Sequence, residues 1–206
     1  MRGLNRNAGH KQGLQTVENV IDWCVQANVD VVSLYVFSTE NWKRPKKEVE
    51  GIFSLAKKYL NKFEDFCQKG VKVVVSGSKN RLPSELVEKI ENIQQATKHY
   101  NKITVNLCIN YGGRSEIVDA VNNILASGGT VTEESLLSAM YANLPEPDLI
   151  VRTGGHMRLS NFLLYQSAYA ELYFTDTLWP DFSKSEFDKI IEIYCGRVRN
   201  FGGLSN

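Results

Sequence analysis

The run VDVVSLYVF at residues 29–37 decides the fold, because apolar residues fill nearly all of its positions. Strands buried on both faces have such continuous apolar runs, whereas strands with one wet face alternate apolar and polar residues. Two further runs share this character, VKVVVS at residues 71–76 and ITVNLCI at residues 103–109. Shorter candidates lie at residues 149–152 and 172–174. The five segments predict a buried, mostly parallel sheet.

Segments with the apolar spacing of amphipathic helices separate these strands. The predicted helices are residues 13–27, 47–69, 83–100, 115–126, 133–141 and 183–197. Strands that alternate with helices predict an α/β fold with an open, mostly parallel central sheet flanked by helices. A length of 206 residues fits one domain, at residues 1–206.

Composition excludes several classes of protein. The formal net charge is +1, so no overall positive field favours nucleic acid. No apolar stretch approaches the roughly 20 residues of a membrane span, and the polar, basic N-terminus does not fit a signal peptide. Four cysteines, Cys24, Cys67, Cys108 and Cys195, show no metal-ligand spacing. We therefore expect a cytoplasmic protein with reduced thiols.

Polar loops follow three of the predicted strands, at residues 38–45, 110–114 and 153–161. In open parallel sheets, ligands bind beyond the carboxyl ends of the strands, so these loops are the place to look for a site. Arg152, Arg158 and Ser160 supply two guanidinium groups and a hydroxyl beside a glycine turn, which is a donor set suited to phosphate. The residues alone indicate a phosphate-containing ligand, against the alternative of solvated surface arginines. P-loop, dinucleotide-binding and HExxH motifs are absent from the sequence.

Longer motifs connect these loops to a known family. They are FSTENWKRP at residues 37–45, NYGGR at 110–114, RTGGHMRLSNFLLYQ at 152–166, AYAELYFTDTLWPDF at 168–182, RVRNFGG at 197–203 and GLNRNAGHK at 3–11. In this order along the chain they resemble the undecaprenyl diphosphate synthases, which are cis-prenyltransferases. The resemblance implies successive addition of isopentenyl diphosphate to an allylic diphosphate, with Z double bonds and Mg²⁺ as cofactor. It also implies a homodimer, whose lipid product would bring it into peripheral contact with membranes.

The resemblance assigns roles to particular side chains. The residues that it implies for substrate binding are Arg6, His10, Phe37, Ser38, Thr39, Glu40, Trp42, Arg44, Arg152, Arg158, Leu159 and Ser160. Arg6 and His10 would hold the allylic diphosphate, whereas the residues from Arg152 to Ser160 would hold that of isopentenyl diphosphate. The segment from Ser38 to Arg44 would close over the substrates, with Phe37 against the prenyl chain.

Two further positions match the family's chemistry. Asn41 matches the residue assigned to accept the proton lost from isopentenyl diphosphate. Because an amide is a poor base, we expect it to orient the substrate or relay the proton to a diphosphate oxygen. Glu171 matches a carboxylate that completes the Mg²⁺ site, and the alternative for it is a buried acid satisfied by the backbone.

The sequence also departs from the family pattern. The family begins with a strand ending in an M-D-G-N-G-R-W segment, whose aspartate binds Mg²⁺, and this segment is expected upstream of Gly3. We therefore expect the first strand and the catalytic aspartate to be missing, through a mis-assigned start, truncation or true loss. His156 stands where most members have glutamate, Ser78 where an acid is usual, and Asn200 where an arginine is usual.

Three hypotheses stay open at this point. The first is a polyprenyl diphosphate synthase that acts as a homodimer. The second is a truncated or non-catalytic subunit of the same fold, which would bind diphosphate without turnover. The third is a short-chain or lavandulyl-type branching prenyltransferase, which His156 favours.

Overall fold

Strand β3 is the centre of the fold in the computed structural model, which describes residues 6–67 and 70–198, with the backbone alone for residues 6–11 and 61–67. The helices are α1 Arg6–Gln26, α2 Lys46–Cys67, α3 Ser84–Thr97, α4 Gly113–Ala126, α5 Glu133–Ser138 and α6 Lys184–Cys195. The strands are β1 Val31–Ser38, β2 Val71–Ser76, β3 Ile103–Tyr111, β4 Leu149–Arg152 and β5 Glu171–Phe174. Two 3-10 helices, Thr39–Lys43 and Trp179–Asp181, complete the described elements.

All strand pairs in the described residues are parallel. β3 lies between β1 and β2, and β4 pairs with β5 in a separate two-stranded sheet. The prediction of an α/β fold with a parallel sheet and flanking helices is confirmed. The described strands form two hydrogen-bonded groups rather than the one central sheet that we expected. The assignment of residues 1–206 to one domain stays a prediction.

Burial explains why β3 takes the central place. Val105, Cys108 and Tyr111 are fully buried, and of the nine residues of β3 only Thr104 is not buried. The buried amide of Asn106 joins all three strands: its Nδ2 donates to Ser33 Oγ of β1 (3.1 Å), and its Oδ1 accepts from Ser76 Oγ of β2 (2.8 Å). The polar residue within an apolar run is therefore satisfied across the sheet, as a buried amide must be.

Element boundaries differ from the sequence predictions mainly at helix ends. Helix α1 begins at Arg6, seven residues before the predicted start at residue 13, because the apolar periodicity on which that prediction rests begins only at Leu14. Helices α3, α5 and α6 end a few residues early, at Thr97, Ser138 and Cys195. In α3 the Thr97 hydroxyl accepts from the Val73 N–H (3.0 Å) and so binds the last turn to β2.

The structure describes the side chains of three of the four cysteines. Among residues whose side chains are described, Cys24, Cys108 and Cys195 are free thiols, and burial raises the pKa of Cys24 to about 12. Of the helices in the described part of the chain, none has the length and apolar character required to cross a bilayer.

A buried carboxylate organises the contact between α4 and the segments around it. Glu116, in the first turn of α4, is 2% exposed. It accepts hydrogen bonds from the Tyr111 hydroxyl, from the Tyr141 N–H (3.1 Å) and from Gln166 Nε2 (2.9 Å). Its position near the N-terminus of a helix also favours a negative charge. One carboxylate thus joins the end of β3, the segment after α5 and the loop before β5.

We expect Glu116→Gln to lower the free energy of unfolding by about 2 kcal/mol or more, because an amide nitrogen then faces donors in a buried site. Urea denaturation followed by circular dichroism measures the change. The control is Glu88→Gln, which removes an exposed carboxylate on α3. Equal stability of the two variants would contradict this account of Glu116.

Candidate functional site

Loops from four strands meet at the carboxyl edge of the sheets. The 3-10 helix Thr39–Lys43 follows β1, and α4 begins immediately after β3. The loop after β4 reaches both: Asn161 O accepts from the Gly113 N–H (2.8 Å), and Asn161 Nδ2 donates to Glu40 Oε1 (2.8 Å). The structure therefore brings together the three loops that the sequence identified, and the loop after β2 joins them.

The two predicted anion-binding arginines converge on one hydroxyl. Arg152 Nη1 donates to Ser160 Oγ at 2.6 Å, and Arg158 Nε donates to the same oxygen at 3.2 Å. Arg152 also donates to the backbone carbonyl of Arg158. Partial burial, and then the positive charge of Arg158, lower the pKa of Arg152 below its usual value. Two like charges held this close make a strong site for an anion.

Four backbone N–H groups of the glycine turns beside this cluster already donate within the protein. The Gly154 N–H donates to Thr177 O and the Gly155 N–H to Thr175 O, both at 2.9 Å. The N–H groups of Gly113 and Arg114 donate to Asn161. Backbone hydrogen bonding builds the loops, so side chains are left to bind an anion.

Leu159 lies in the same loop and is half-buried, and His156 is exposed.

The 3-10 helix after β1 carries most of the other predicted residues. Asn41 Oδ1 accepts from the Ser38 N–H (3.1 Å), so this oxygen closes the first turn of the helix. Arg44 pairs with Glu48 at 3.1 Å rather than with the arginine cluster. Burial raises the pKa of Glu40, but hydrogen bonds from its own backbone and from the side chains of Asn161, Ser38 and Thr39 outweigh it, so the net pKa is lowered.

An aromatic cluster of Phe37, Trp42 and Phe53 packs against this 3-10 helix. The Phe37 ring is 1% exposed and packs against Phe53 (centroids 4.8 Å apart) and Trp42 (5.2 Å). Contact between Phe37 and a prenyl chain stays a prediction, and it requires this cluster to open. Trp42 Nε1 donates to Asn110 Oδ1 at 2.7 Å, and the Arg81 guanidinium lies 4.3 Å from the Trp42 ring centroid.

The loop after β2 was missed as part of the site. Asn110, with φ 52°, donates through Nδ2 to the carbonyl oxygens of Ser78 and Asn80, both at 2.8 Å. A hollow of about 290 Å³ lies here, lined by Thr39, Trp42, Ser78, Asn80, Arg81, Asn110, Ser115 and Asp119. The rule that ligands bind beyond the carboxyl ends of parallel strands also applies to β2 and would have indicated Arg81.

The described residues do not form a metal site by themselves. Glu171 begins β5, and its Oε2 lies 3.4 Å from Arg197 Nε in an ion pair. Among the side chains that the structure describes, no group of three or more His, Cys, Asp or Glu residues could hold a metal ion. Because Arg197 already pairs with this carboxylate, metal binding by Glu171 requires the ion pair to separate and stays a prediction.

Three predicted positions lie outside the described side chains. Arg6 and His10 belong to α1, of which only the backbone is described there, and Asn200 lies beyond residue 198. The allylic diphosphate site at Arg6 and His10 stays a prediction.

Comparison with known proteins agrees with this architecture. A family model described as "Putative undecaprenyl diphosphate synthase" matches residues 1–202. An isoprenyl transferase from Fusobacterium nucleatum is 46% identical over 207 residues, covering 100% of this chain and 90% of the relative.

Two solved structures have similar folds. The first, described as a probable undecaprenyl diphosphate synthase from Campylobacter jejuni, is 40% identical with a TM-score of 0.87, covering 93% of this chain and 92% of that one. The second is lavandulyl diphosphate synthase from Lavandula x intermedia in complex with dimethylallyl diphosphate. It is 28% identical with a TM-score of 0.91, covering 98% and 91%.

We expect Asn110→Ala to destabilise the protein by about 2 kcal/mol beyond the cost of a left-handed alanine, because the variant leaves two carbonyl groups and the Trp42 N–H without their partner. The matched control is Asn28→Ala, since Asn28 has φ 53° and is exposed. Urea denaturation measures both. If the two variants lose equal stability, the Asn110 side chain does not hold the loops together.

The lowered pKa of Glu40 predicts a stability that depends on pH. A carboxyl whose pKa is lowered by folding stabilises the protein above its unfolded value, here 4.5, and this contribution is lost as the pH falls through the folded value. The difference in unfolding free energy between the unmodified protein and Glu40→Gln should therefore be larger at pH 7 than at pH 3. A difference that stays constant across this range would show that the ionised carboxylate contributes nothing.

Proposed function

Because the chain belongs to the undecaprenyl diphosphate synthase family of prenyltransferases, we propose that it joins isopentenyl diphosphate to an allylic diphosphate of the farnesyl type. A carbon–carbon bond forms between the two substrates, and the carbon–oxygen bond to the allylic diphosphate breaks. Inorganic diphosphate leaves, and the isopentenyl unit loses a proton. Repeated additions give a Z-polyprenyl diphosphate.

The observation that carries the proposal is the convergence of Arg152 and Arg158 on Ser160. A diphosphate placed there relieves the repulsion between two guanidinium groups and accepts several charge-assisted hydrogen bonds. The Ser160 hydroxyl then donates its proton to a phosphate oxygen while Arg152 turns to the ligand. We assign this cluster to the diphosphate of isopentenyl diphosphate, and we assign Leu159 to the wall of the same site.

Residues of the 3-10 helix act on the reacting end of the substrate. Since Asn41 Oδ1 already accepts from the Ser38 N–H, its Nδ2 is the atom that turns towards a ligand. A donor in this position orients the substrate or steers the released proton to a diphosphate oxygen, in keeping with the weak basicity of an amide. Arg44, on the exposed end of this segment, binds substrate by leaving its ion pair with Glu48.

The proposal also includes three properties that the family implies. They are Mg²⁺ as cofactor, a homodimer and a cytoplasmic location. Mg²⁺ usually keeps several waters and binds one or two carboxylates together with substrate phosphates, and Glu171 would be such a carboxylate once separated from Arg197. When bound, the metal would neutralise charge on a diphosphate. The lipid product would bring the protein to a membrane surface.

Branching prenyl transfer is the second candidate, supported by the similarity to lavandulyl diphosphate synthase. The exposed His156 lies in the same loop as the arginine cluster. A histidine there in place of the family's usual glutamate alters the surroundings of a bound ligand. Identity favours chain elongation, at 46% to an isoprenyl transferase against 28% to the lavandulyl enzyme.

We expect Arg152→Gln to weaken binding of inorganic diphosphate by about tenfold or more, because one charge-assisted hydrogen bond contributes roughly 1.5–3 kcal/mol. Isothermal titration calorimetry gives the dissociation constants. Lys98→Gln is the control, since it removes one exposed positive charge next to the C-terminal end of α3. Equal affinity of the two variants would remove the arginine cluster from the binding site.

Catalysis is tested with farnesyl diphosphate, labelled isopentenyl diphosphate and Mg²⁺, with product length read by mass spectrometry. Polyprenyl products that disappear when Mg²⁺ is chelated are the expected result. Diphosphate binding without product would support the non-catalytic subunit instead. A branched product of one condensation would support the second candidate.

A further inference from the structure

Asn161 is bonded to elements that follow two other strands. It lies in the loop after β4, directly after Ser160 of the arginine cluster. Its backbone oxygen accepts from the Gly113 N–H (2.8 Å), and its Oδ1 accepts from the Arg114 N–H (2.9 Å) at the start of α4. Its Nδ2 donates to Glu40 Oε1 (2.8 Å) in the 3-10 helix after β1. One residue therefore links the loop that carries Ser160 to both neighbouring elements.

The backbone around Asn161 is strained. Ser160, Asn161 and Leu163 have φ values of 52°, 67° and 42°, in a region that residues other than glycine seldom adopt. Such residues persist only where the surrounding structure holds them, and they concentrate at binding sites and switches.

Packing on both sides of Asn161 sustains this strain. Phe162 stacks on Tyr35 with centroids 4.7 Å apart, and Leu163 is buried. A Cβ at position 112 would lie 2.7 Å from Asn161 Nδ2 and 2.6 Å from Thr39 Oγ1, so glycine there is what permits the close approach. Packing therefore fixes the loop at Phe162 and Leu163. The residue before Asn161 is Ser160, which Arg152 and Arg158 bind.

We propose that Asn161 is a positioning residue that couples the arginine cluster to the 3-10 helix Thr39–Lys43, so that a diphosphate bound to the cluster orders that helix. The inference rests on the proposed function, because it takes the cluster as the diphosphate site. A ligand that turns Arg152 and Arg158 away from Ser160 changes the restraints on a strained loop. Asn161, one residue along the chain, transmits that change through its hydrogen bond to Glu40.

Asn110 shows why the coupling belongs to Asn161. Both asparagines are left-handed, and both hold the same 3-10 helix, Asn110 through Trp42 and Asn161 through Glu40. The Asn110 amide joins the helix to the loop after β2, whereas Asn161 joins it to the loop after β4, in which the preceding residue is Ser160 of the arginine cluster. Only the second connection lies on the path from a bound diphosphate.

The test exchanges donor and acceptor across the Asn161–Glu40 hydrogen bond. Asn161→Asp keeps an acceptor for the Arg114 N–H and tolerates a left-handed backbone, but it sets a carboxylate against Glu40. Glu40→Gln alone keeps an acceptor for Asn161 Nδ2. The double variant restores the hydrogen bond in the opposite direction, because the new glutamine amide donates to the new aspartate.

Hydrogen–deuterium exchange of the full chain, with and without saturating inorganic diphosphate, gives the readout at residues 38–44 and 152–160. In the unmodified protein, diphosphate should slow exchange in both segments, and Glu40→Gln alone is the reference for the double variant. In Asn161→Asp, we expect the slowing at 38–44 to fall by about fivefold or more while 152–160 still responds, and the double variant should regain it. By reciprocity, the affinity for diphosphate should fall and recover by a similar factor.

The outcomes separate the coupling from the proposed site. Protection of 38–44 that survives in Asn161→Asp, or that the double variant fails to regain, overturns the coupling and leaves the binding site standing. Protection of 152–160 alone in the unmodified protein has the same meaning. If diphosphate protects neither segment of the unmodified protein, the proposed site fails and the coupling fails with it. A merely structural role for Asn161 would speed exchange throughout the chain, with and without ligand.

Discussion

The parallel pairing of β3 with both β1 and β2 is the constraint on which the rest of the structure depends. Parallel strands run in the same direction, so the loops after them must emerge at one edge of the sheet. The Asn106 amide fixes this arrangement by bonding to a serine on each neighbouring strand. The short β4–β5 sheet adds its own loop to that edge through Asn161. Every residue of the candidate site that the structure describes follows from this convergence, apart from Glu171 and Phe37.

Polar groups that meet at such an edge need hydrogen-bond partners, and asparagine side chains supply several of them. Asn110, Asn161 and Asn41 each use a side-chain amide to close a turn or to join one loop to another. An amide both donates and accepts, so one residue can satisfy two backbone groups of opposite kind. Asparagine also tolerates a left-handed backbone better than most residues, which the first two positions require. The arginines are thereby left to bind a ligand.

The sequence predicted the elements well where burial alone decides them. The apolar runs located all five strands within two residues at each end. In the central strand β3 this follows from burial on both faces, which tolerates few polar residues, whereas β4 and β5 are partly exposed and were located by their short apolar runs. Helix ends were less accurate: nothing in the polar segment before Leu14 marks the start of α1 at Arg6. The site residues from Ser38 to Arg44 and from Arg152 to Ser160 were identified by motif. Arg81 lies outside these motifs, and Asn161 lies within one but was given no role. Both roles depend on contacts with residues far away in sequence, Trp42 for Arg81 and Glu40 for Asn161.

Backbone groups and side chains have different tasks at this edge of the sheets. Glycine-rich turns often bind phosphate through free N–H groups. In this fold the N–H groups of Gly113, Gly154 and Gly155 donate to backbone oxygens of neighbouring loops. Gly112 permits close approach, because a side chain there would collide with Thr39 and Asn161. Binding through side chains makes the site adjustable, because two guanidinium groups that share a serine can turn to an anion without unfolding a turn. An anion that did so would alter the strained loop next to it, and a site held by rigid backbone donors would lack that response.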